Sequence, residues 1–405
     1  MFIGVLAVIF AINFTSLIRE ILWYSDANNS QIPIKKNFNV NKKLRSPNIY
    51  WIHPDGMLNF DAVAKYFNDN QEKFLSELKQ RGFEINKGAN FEAHHHTTCA
   101  IPVLMNPFSY ENYIRGAISA ADNIDMLNKY VLKILRVNSE LQYAFKAKNY
   151  AVNVIGLYSF YYPISAGKFW LTGINKGQIL TFDVVDNNSL LETYNFDNPY
   201  TRMILEFLLN RFKLSGENYK ANIDEDQRRQ ILLNPWNNDD KNLDFVDALY
   251  DILHGNYPEP RLTIIHDLTP HAGYDHKEDG SRTEIINQNI PQNYLGQHIW
   301  SGKVLINVID MILEQDPDAI IIIQSDHGMH TNLEPEFKAA FPDKFNSNTA
   351  KELWNSTMSA IRVPDKFKTG EEHYALNNPL NITRYLVNNF VGANNYEYLS
   401  PNAEF

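Results

Sequence analysis

The chain has 405 residues, with 44% hydrophobic and 21% charged side chains, enough for one large α/β unit with a sizeable core. Lys and Arg total 37 against 47 Asp and Glu, a net charge of −10, which argues against nonspecific nucleic-acid binding, since that needs a basic surface. The single cysteine, Cys99, excludes an intrachain disulfide and reads as a small buried hydrophobe.

Residues 2–17 form an apolar run interrupted by Asn13, Thr15 and Ser16. At about 1.5 Å per residue it is marginal for a ~30 Å hydrocarbon core. No basic segment precedes it and no small-residue cleavage site comes after it, which argues against a cleaved signal peptide. Residues 1–25 are therefore read as an N-terminal apolar helix acting as a membrane anchor, with a buried helix as the alternative. Residues 26–45 are polar and read as a linker. Taken literally, Arg19, Lys35, Lys36, Lys42, Lys43 and Arg45 after the run would place the rest of the chain in the cytoplasm.

One domain is expected over residues 46–405. Asn48 to His53 reads as a strand that ends at Pro54-Asp55-Gly56. Apolar spacing predicts a helix over 60–81, closed by Gly82, then a short strand at 83–85. The polar segment His94-His95-His96-Thr97-Thr98-Cys99 leads into a helix over 100–105 with Pro102 in its first turn. A strand is predicted over 150–156, helices over 200–212 and 241–254, and a strand over 261–266. Helical periodicity covers 285–315, as one or two helices. Ala319 to Gln324 is almost wholly apolar, the pattern of a strand buried on both faces of a parallel sheet, and it ends at Ser325-Asp326-His327-Gly328. Strands alternating with helices predict a mostly parallel sheet covered on both sides.

The C-terminal ends of parallel strands face the ligand crevice, so Asp326 and His327 there can reach one ion. The competing reading is a turn that only terminates the strand. Asp55-Gly56 carries the same ambiguity, because Asp-Gly is a common turn pair. A hydroxyl at a helix start, Thr97 or Thr98, is either an N-cap or a nucleophile activated by a metal. The three preceding histidines are read as metal ligands, phosphate contacts or surface residues.

Together these segments resemble the sulfatase-like hydrolase/transferase branch of the alkaline phosphatase superfamily, including its lipoteichoic acid synthase and phosphoethanolamine transferase members. Residues 48–56 resemble that branch's first strand and metal loop, 74–83 its next helix, and 97–106 its nucleophile segment. Residues 270–280 resemble its Pro-His loop, and 321–328 its final metal motif. Residues 380–384 and 396–399 resemble its closing helix and tail. The resemblance implies an alkaline phosphatase-like α/β sandwich with one divalent metal ion (Mn²⁺, Zn²⁺ or Mg²⁺). Asp55, Thr97, Asp326 and His327 would hold the metal. Thr97 would be the nucleophile, through a phospho-threonine intermediate, and His271 with His266 would orient or protonate the substrate. It implies a phosphorylated lipid or glycan as substrate, and a membrane-anchored enzyme whose catalytic domain lies outside the cytoplasm. Sulfatases of this superfamily carry a Cys-x-Pro-x-Arg pattern, and the residues after Cys99 do not supply it. This favours phosphate over sulfate esters, with a sulfatase of the same fold as the alternative. Asp267, His271, Asp275 and His276 lack a clear two-metal spacing, so a single metal is expected.

Overall fold

The computed structural model describes residues 34–92, 97–115, 139–156, 167–175, 178–184, 217–219, 230–231, 244–267, 269–271, 274–283, 291–329, 347–392 and 394–401. The expected anchor at 1–25, the histidines at 94–96 and the expected helix at 200–212 lie outside the described residues. Among the described residues, no helix is long and apolar enough to cross a membrane.

The first strand, β1 (Ile49–Pro54), is buried along its whole length. The single helix expected over 60–81 is two helices, α1 (Phe60–Phe67) and α2 (Glu72–Gln80). Asn68 ends α1 in the left-handed region, φ 55, and Gln71 takes the same region just before α2. Asn59 starts α1 as its N-cap, its side-chain oxygen accepting from the Ala62 N–H at 2.7 Å. β2 (Phe83–Asn86) comes after α2. The helix expected from residue 100 begins earlier, at Thr97, as α3 (Thr97–Met105), so Pro102 lies beyond its first turn.

Next come α4 (Glu140–Ala147), β3 (Ala151–Gly156), β4 (Gly167–Asn175), β5 (Gln178–Val184) and β6 (Glu217–Tyr219). α5 (Asp244–His254) precedes β7 (Arg261–Asp267). The periodicity over 285–315 resolves into one 25-residue helix, α6 (Pro291–Gln315), and the chain then enters β8 (Ile320–Gln324). It closes through α7 (Ser347–Asn355), β9 (Ser359–Arg362), α8 (Glu372–Asn377) and α9 (Asn381–Leu386).

Among the described residues, nine strands form one mixed sheet in the order β2-β9-β8-β1-β7-β3-β4-β5-β6. The central run from β8 to β4 is parallel. β9 and β2 on one flank, and β5 and β6 on the other, are antiparallel to their neighbours. The parallel character expected from the sequence thus holds at the centre, and the flanks are antiparallel.

Side chains alternate across the sheet. Ile49 and Trp51 of β1, Leu262 and Ile264 of β7 and Ile320 and Ile322 of β8 share one apolar cluster with α3, α4 and α9. Tyr50, Ile52, Ile265, Ile321 and Ile323 face the other way, onto α2, α5 and α6. This explains the unbroken isoleucine run of β8: helices cover both of its faces. Each fully buried isoleucine contributes on the order of 2 kcal/mol. Residues 34–45, within the expected linker, lie against the first face. Ile34, Phe38 and Val40 pack on its cluster, and the Asn41 N–H donates to the Val391 carbonyl at 2.8 Å.

Candidate metal centre and nucleophile

Three adjacent parallel strands, β8, β1 and β7, end side by side. β1 runs into Asp55, β7 ends on His266 and Asp267, and β8 runs into Asp326 and His327. The register pairs His53 with His266 and Pro54 with Asp267, and the Asp55 N–H donates to the Asp267 carbonyl at 2.8 Å. Gly56 then turns the chain at φ +74, which glycine adopts without a Cβ penalty. Its N–H reaches Asp326 Oδ1 at 3.3 Å.

The start of α3 brings in the hydroxyl. Thr97 Oγ1 donates to Asp55 Oδ2 at 3.4 Å and lies 3.3 Å from His327 Nε2. Residues from three distant parts of the chain therefore meet at one point, and all are buried: Asp55, Thr97, Asp326 and His327. Thr98's side chain and the histidines at 94–96 lie outside the described residues.

Electron-pair donors converge here. His327 Nδ1 lies 2.7 Å from the Gly328 carbonyl, which can only accept, so Nδ1 carries the proton. In the neutral ring, Nε2 then presents a lone pair toward Asp55 Oδ1 at 3.2 Å and Asp326 Oδ2 at 3.4 Å. Both of those oxygens are buried and accept no hydrogen bond among the described residues. One ligand atom from each of Asp55, Asp326 and His327 falls within 4.8 Å of the others. Such a set, out of water, is stable only with positive charge between its members. Two carboxylates, an imidazole and a hydroxyl suit a divalent ion, so the residues fit the metal that the sequence resemblance implies.

In the metal-free protein a proton supplies that charge. Burial opposes charge on His327, but Asp326 and Asp55 outweigh it and raise the imidazole to about 9. Burial likewise opposes charge on Asp55, and His271, His266 and His327 together hold its carboxyl well below the usual range. A histidine whose folded pKa is raised stabilises the fold fully below its unfolded pKa of about 6.5, and loses that contribution as pH rises through the folded value. The metal-free protein is therefore expected to melt at progressively lower temperature as pH rises from about 6.5 through about 9. Thermal denaturation of chelator-treated protein across this range reads the effect, and His327→Gln should flatten it.

The two predicted substrate histidines occupy different places. His266 is 1% exposed and sits behind Asp55, its Nε2 3.3 Å from Asp55 Oδ2. His271 is only half-buried. Its ring meets that of His327 edge-on, with centroids 6.4 Å apart, and the Gln297 side chain holds its carbonyl at 3.0 Å. Asp275 and His276 lie elsewhere: Asp275 pairs with Arg282, and His276 stacks on Trp300 at 3.9 Å.

Asp267, weighed in the sequence only as a second-metal ligand, and His53, which the sequence reading did not single out, also lie at this edge. Asp267 accepts from the Thr269 N–H at 3.0 Å and from its hydroxyl at 2.8 Å, anchoring the turn that leads to His271. Burial pushes the Asp267 carboxyl up to about 7. His53 is fully buried, with Nδ1 donating to the Gln324 carbonyl at 2.9 Å, and burial lowers it to about 3, so it stays neutral. The available signal was a histidine on the alternating face of β1 that otherwise carries Ile49 and Trp51. Gly156, at the end of β3, makes room for His266, because a Cβ there would stand 2.8 Å from the His266 Cβ.

Gly328 is fixed by close approach. A Cβ there would lie 2.0 Å from the Leu353 carbonyl and 2.5 Å from that of Ser356, at the end of α7. Gly328→Ala is expected to lower stability by about 3 kcal/mol or more, because backbone must move. It should also weaken metal binding, since the same turn carries His327; thermal melts with and without metal measure both effects.

No family model and no curated protein matches the sequence. Solved structures do. The C-terminal periplasmic domain of EcEptC from Escherichia coli is 11% identical, with 92% of this chain and 95% of that chain covered and a TM-score of 0.49. Its complex with Zn gives 12% identity, 83% and 78% coverage and a TM-score of 0.44. The soluble domain of lipooligosaccharide phosphoethanolamine transferase A from Neisseria meningitidis gives 11%, 84% and 84%, and 0.42. Sulfatases are also among the similar structures; these and the transferases are enzymes of the alkaline phosphatase superfamily, whose sulfatase-like branch the sequence resembles.

Proposed function

We propose that this protein is a metal-dependent phosphotransferase or phosphoesterase that uses Thr97 as its nucleophile on a lipid- or glycan-linked phosphodiester. It is anchored at the membrane by residues 1–25, with residues 46–405 outside the cytoplasm. The observation that carries the reading is the Thr97 hydroxyl, buried at the start of α3 within 3.4 Å of both Asp55 and His327. The sequence resemblance supplies the substrate class.

Asp55, Asp326 and His327, with the Thr97 oxygen, would hold one divalent ion. When bound, that ion supplies the positive charge that lowers the hydroxyl's pKa and offsets charge on the phosphate oxygens. The chain's own residues do the rest. Thr97 Oγ1 forms the new bond to phosphorus, and its proton leaves toward Asp55 Oδ2, the carboxylate oxygen it already faces. The first N–H groups of α3 have no intrahelical partners and receive a phosphate oxygen. The bond from phosphorus to the leaving alcohol breaks, and His271 gives that alcohol its proton. Water or a sugar hydroxyl then attacks the phospho-threonine, giving its proton to His271; the bond from phosphorus to Thr97 Oγ1 breaks, and Asp55 returns the proton to that oxygen. His266, behind Asp55, keeps that carboxylate aimed at the hydroxyl.

Cys99 weighs against a sulfatase. It is 2% exposed and belongs to the apolar cluster that includes Ile101 and Val103. The test is intact-mass analysis after incubation with phosphodiester lipids such as phosphatidylglycerol and phosphatidylethanolamine. An adduct with the mass of the transferred group, located on Thr97 and absent from Thr97→Ala, is the expected result. An adduct on another residue, or formylglycine at Cys99, would overturn the assignment.

A further inference from the structure

Several cations elsewhere in the domain form ion pairs. Lys65 pairs with Glu352, Arg81 with Asp310, Lys366 with Asp318 and Arg384 with Glu111. Residues 35–45 behave differently. This stretch carries Lys35, Lys36, Lys42, Lys43 and Arg45 and no acidic residue, in a chain whose net charge is −10. Lys36, Lys42, Lys43 and Arg45 are all exposed. None of these four forms an ion pair among the described residues, although Lys36 lies 5.4 Å over the Tyr143 ring.

The stretch is held in shape. Residues 41–44 form a turn in which Leu44 N–H donates to the Asn41 carbonyl at 3.2 Å and Lys43 N–H to the Asn41 side chain at 2.9 Å. Lys42 and Lys43 stand at its tip. The buried Lys148 ammonium donates from below to the carbonyls of Asn41 and Leu44, and Lys35 sits 4.3 Å over the Tyr396 ring. The domain thus fixes a cationic loop with solvent-facing charges instead of leaving a neutral tether.

Its position is also defined. Arg45 lies just before Asn48, whose carbonyl accepts from the Ile320 N–H at the start of β8. The loop therefore borders the N-terminal edge of the parallel strands. Three acids near that edge have partners: Asp316 accepts from Asn48, Glu259 pairs with Arg261 and Asp318 with Lys366. The metal centre lies at the other edge, a six-residue strand away, about 20 Å.

We propose that residues 35–45 form a docking surface for an anionic lipid headgroup layer. In the sequence this cationic surface comes soon after the apolar run at 2–17, and the two combine a hydrophobic with an electrostatic attachment, the pairing that stable membrane association needs. The inference rests on the membrane association of the proposed function but needs no catalysis.

The full chain would be tested by flotation with phosphatidylcholine vesicles, with or without about one third phosphatidylglycerol. The expected result is at least about tenfold tighter binding to the anionic vesicles in low salt, lost near 0.5 M salt. K36Q/K42Q/K43Q/R45Q should bring anionic binding down to the neutral-vesicle level, while K36R/K42R/K43R retains the preference. Thr97→Ala should bind as the unaltered chain does, which separates this surface from the catalytic reading. The proposal is overturned if the unaltered chain binds both vesicle types equally, or if the glutamine variant keeps the preference. Tighter binding to heparin than to the anionic vesicles would overturn the lipid assignment.

Discussion

Thr97→Ala is expected to lower phosphodiester turnover by about three orders of magnitude or more and to leave the melting temperature within a few degrees. The two effects separate because the side chain is small and its work is chemical. Thr97 is 6% exposed, and its hydroxyl faces Asp55 and His327 instead of supporting a distant element. Removing it deletes a methyl and a hydroxyl, worth about 1 kcal/mol of stability. It also deletes the only atom of that side chain able to bond phosphorus. Thr97→Ser keeps this oxygen and loses only the methyl, so it should retain activity to within about a hundredfold and still form the covalent adduct. Steady-state kinetics of both variants, with melting curves, decide the matter. Equal residual activity in the alanine and serine variants would mean that the hydroxyl is an N-cap and that the attacking oxygen comes from elsewhere.

Much of this edge was legible in the residue pattern alone. The apolar run before Ser325 read as a strand covered on both faces, which set Asp326 and His327 at a strand terminus; a plain turn competed with a metal site there until the resemblance favoured the latter. The same logic placed Asp55. Local pattern could not reveal which strands pair, so the antiparallel flanks and the neighbouring positions of β1 and β7 were invisible. That adjacency is what makes His53, His266 and Asp267 part of the site. The break between α1 and α2 was hidden because Phe67, Phe74 and Leu78 keep a helical rhythm through it, whereas left-handed Asn68 and Gln71 interrupt the backbone. In the sequence His266 ended a predicted strand and His271 lay in the loop at 270–280, yet both were assigned to the substrate. Burial separates them, setting His266 beside Asp55 and leaving His271 half-buried. Residues 34–45 read as a polar linker because their packing partners, Val391 and Tyr396, lie more than 300 residues away in the chain.

Asp326→Asn is the sharper probe of the metal centre, because it changes charge with little change in shape. The asparagine oxygen can still accept from the Gly56 N–H, which Asp326 Oδ1 now meets at 3.3 Å, so the turn should persist. What is lost is one of the two negative charges facing His327 Nε2. Affinity for Mn²⁺ or Zn²⁺ is expected to fall by at least about a hundredfold, and turnover with it. A ligand at about one hundred times its Kd stabilises the fold by about 2.7 kcal/mol. The unaltered protein should therefore melt several degrees higher with metal than with chelator, and Asp326→Asn should lose most of that gain at the same metal concentration. Asp55→Asn is expected to behave alike and to lose more activity, because Asp55 also faces the Thr97 hydroxyl and His266. The charge balance predicts one further sign. With Asp326 neutral, the pull that raises the His327 imidazole to about 9 weakens, so the alkaline fall in metal-free stability should begin at lower pH in the variant. An unaltered protein whose melting temperature ignores every divalent ion, or an Asp326→Asn variant that titrates metal as the parent does, would remove the centre from the mechanism. Thr97 would then be left as the cap of a helix.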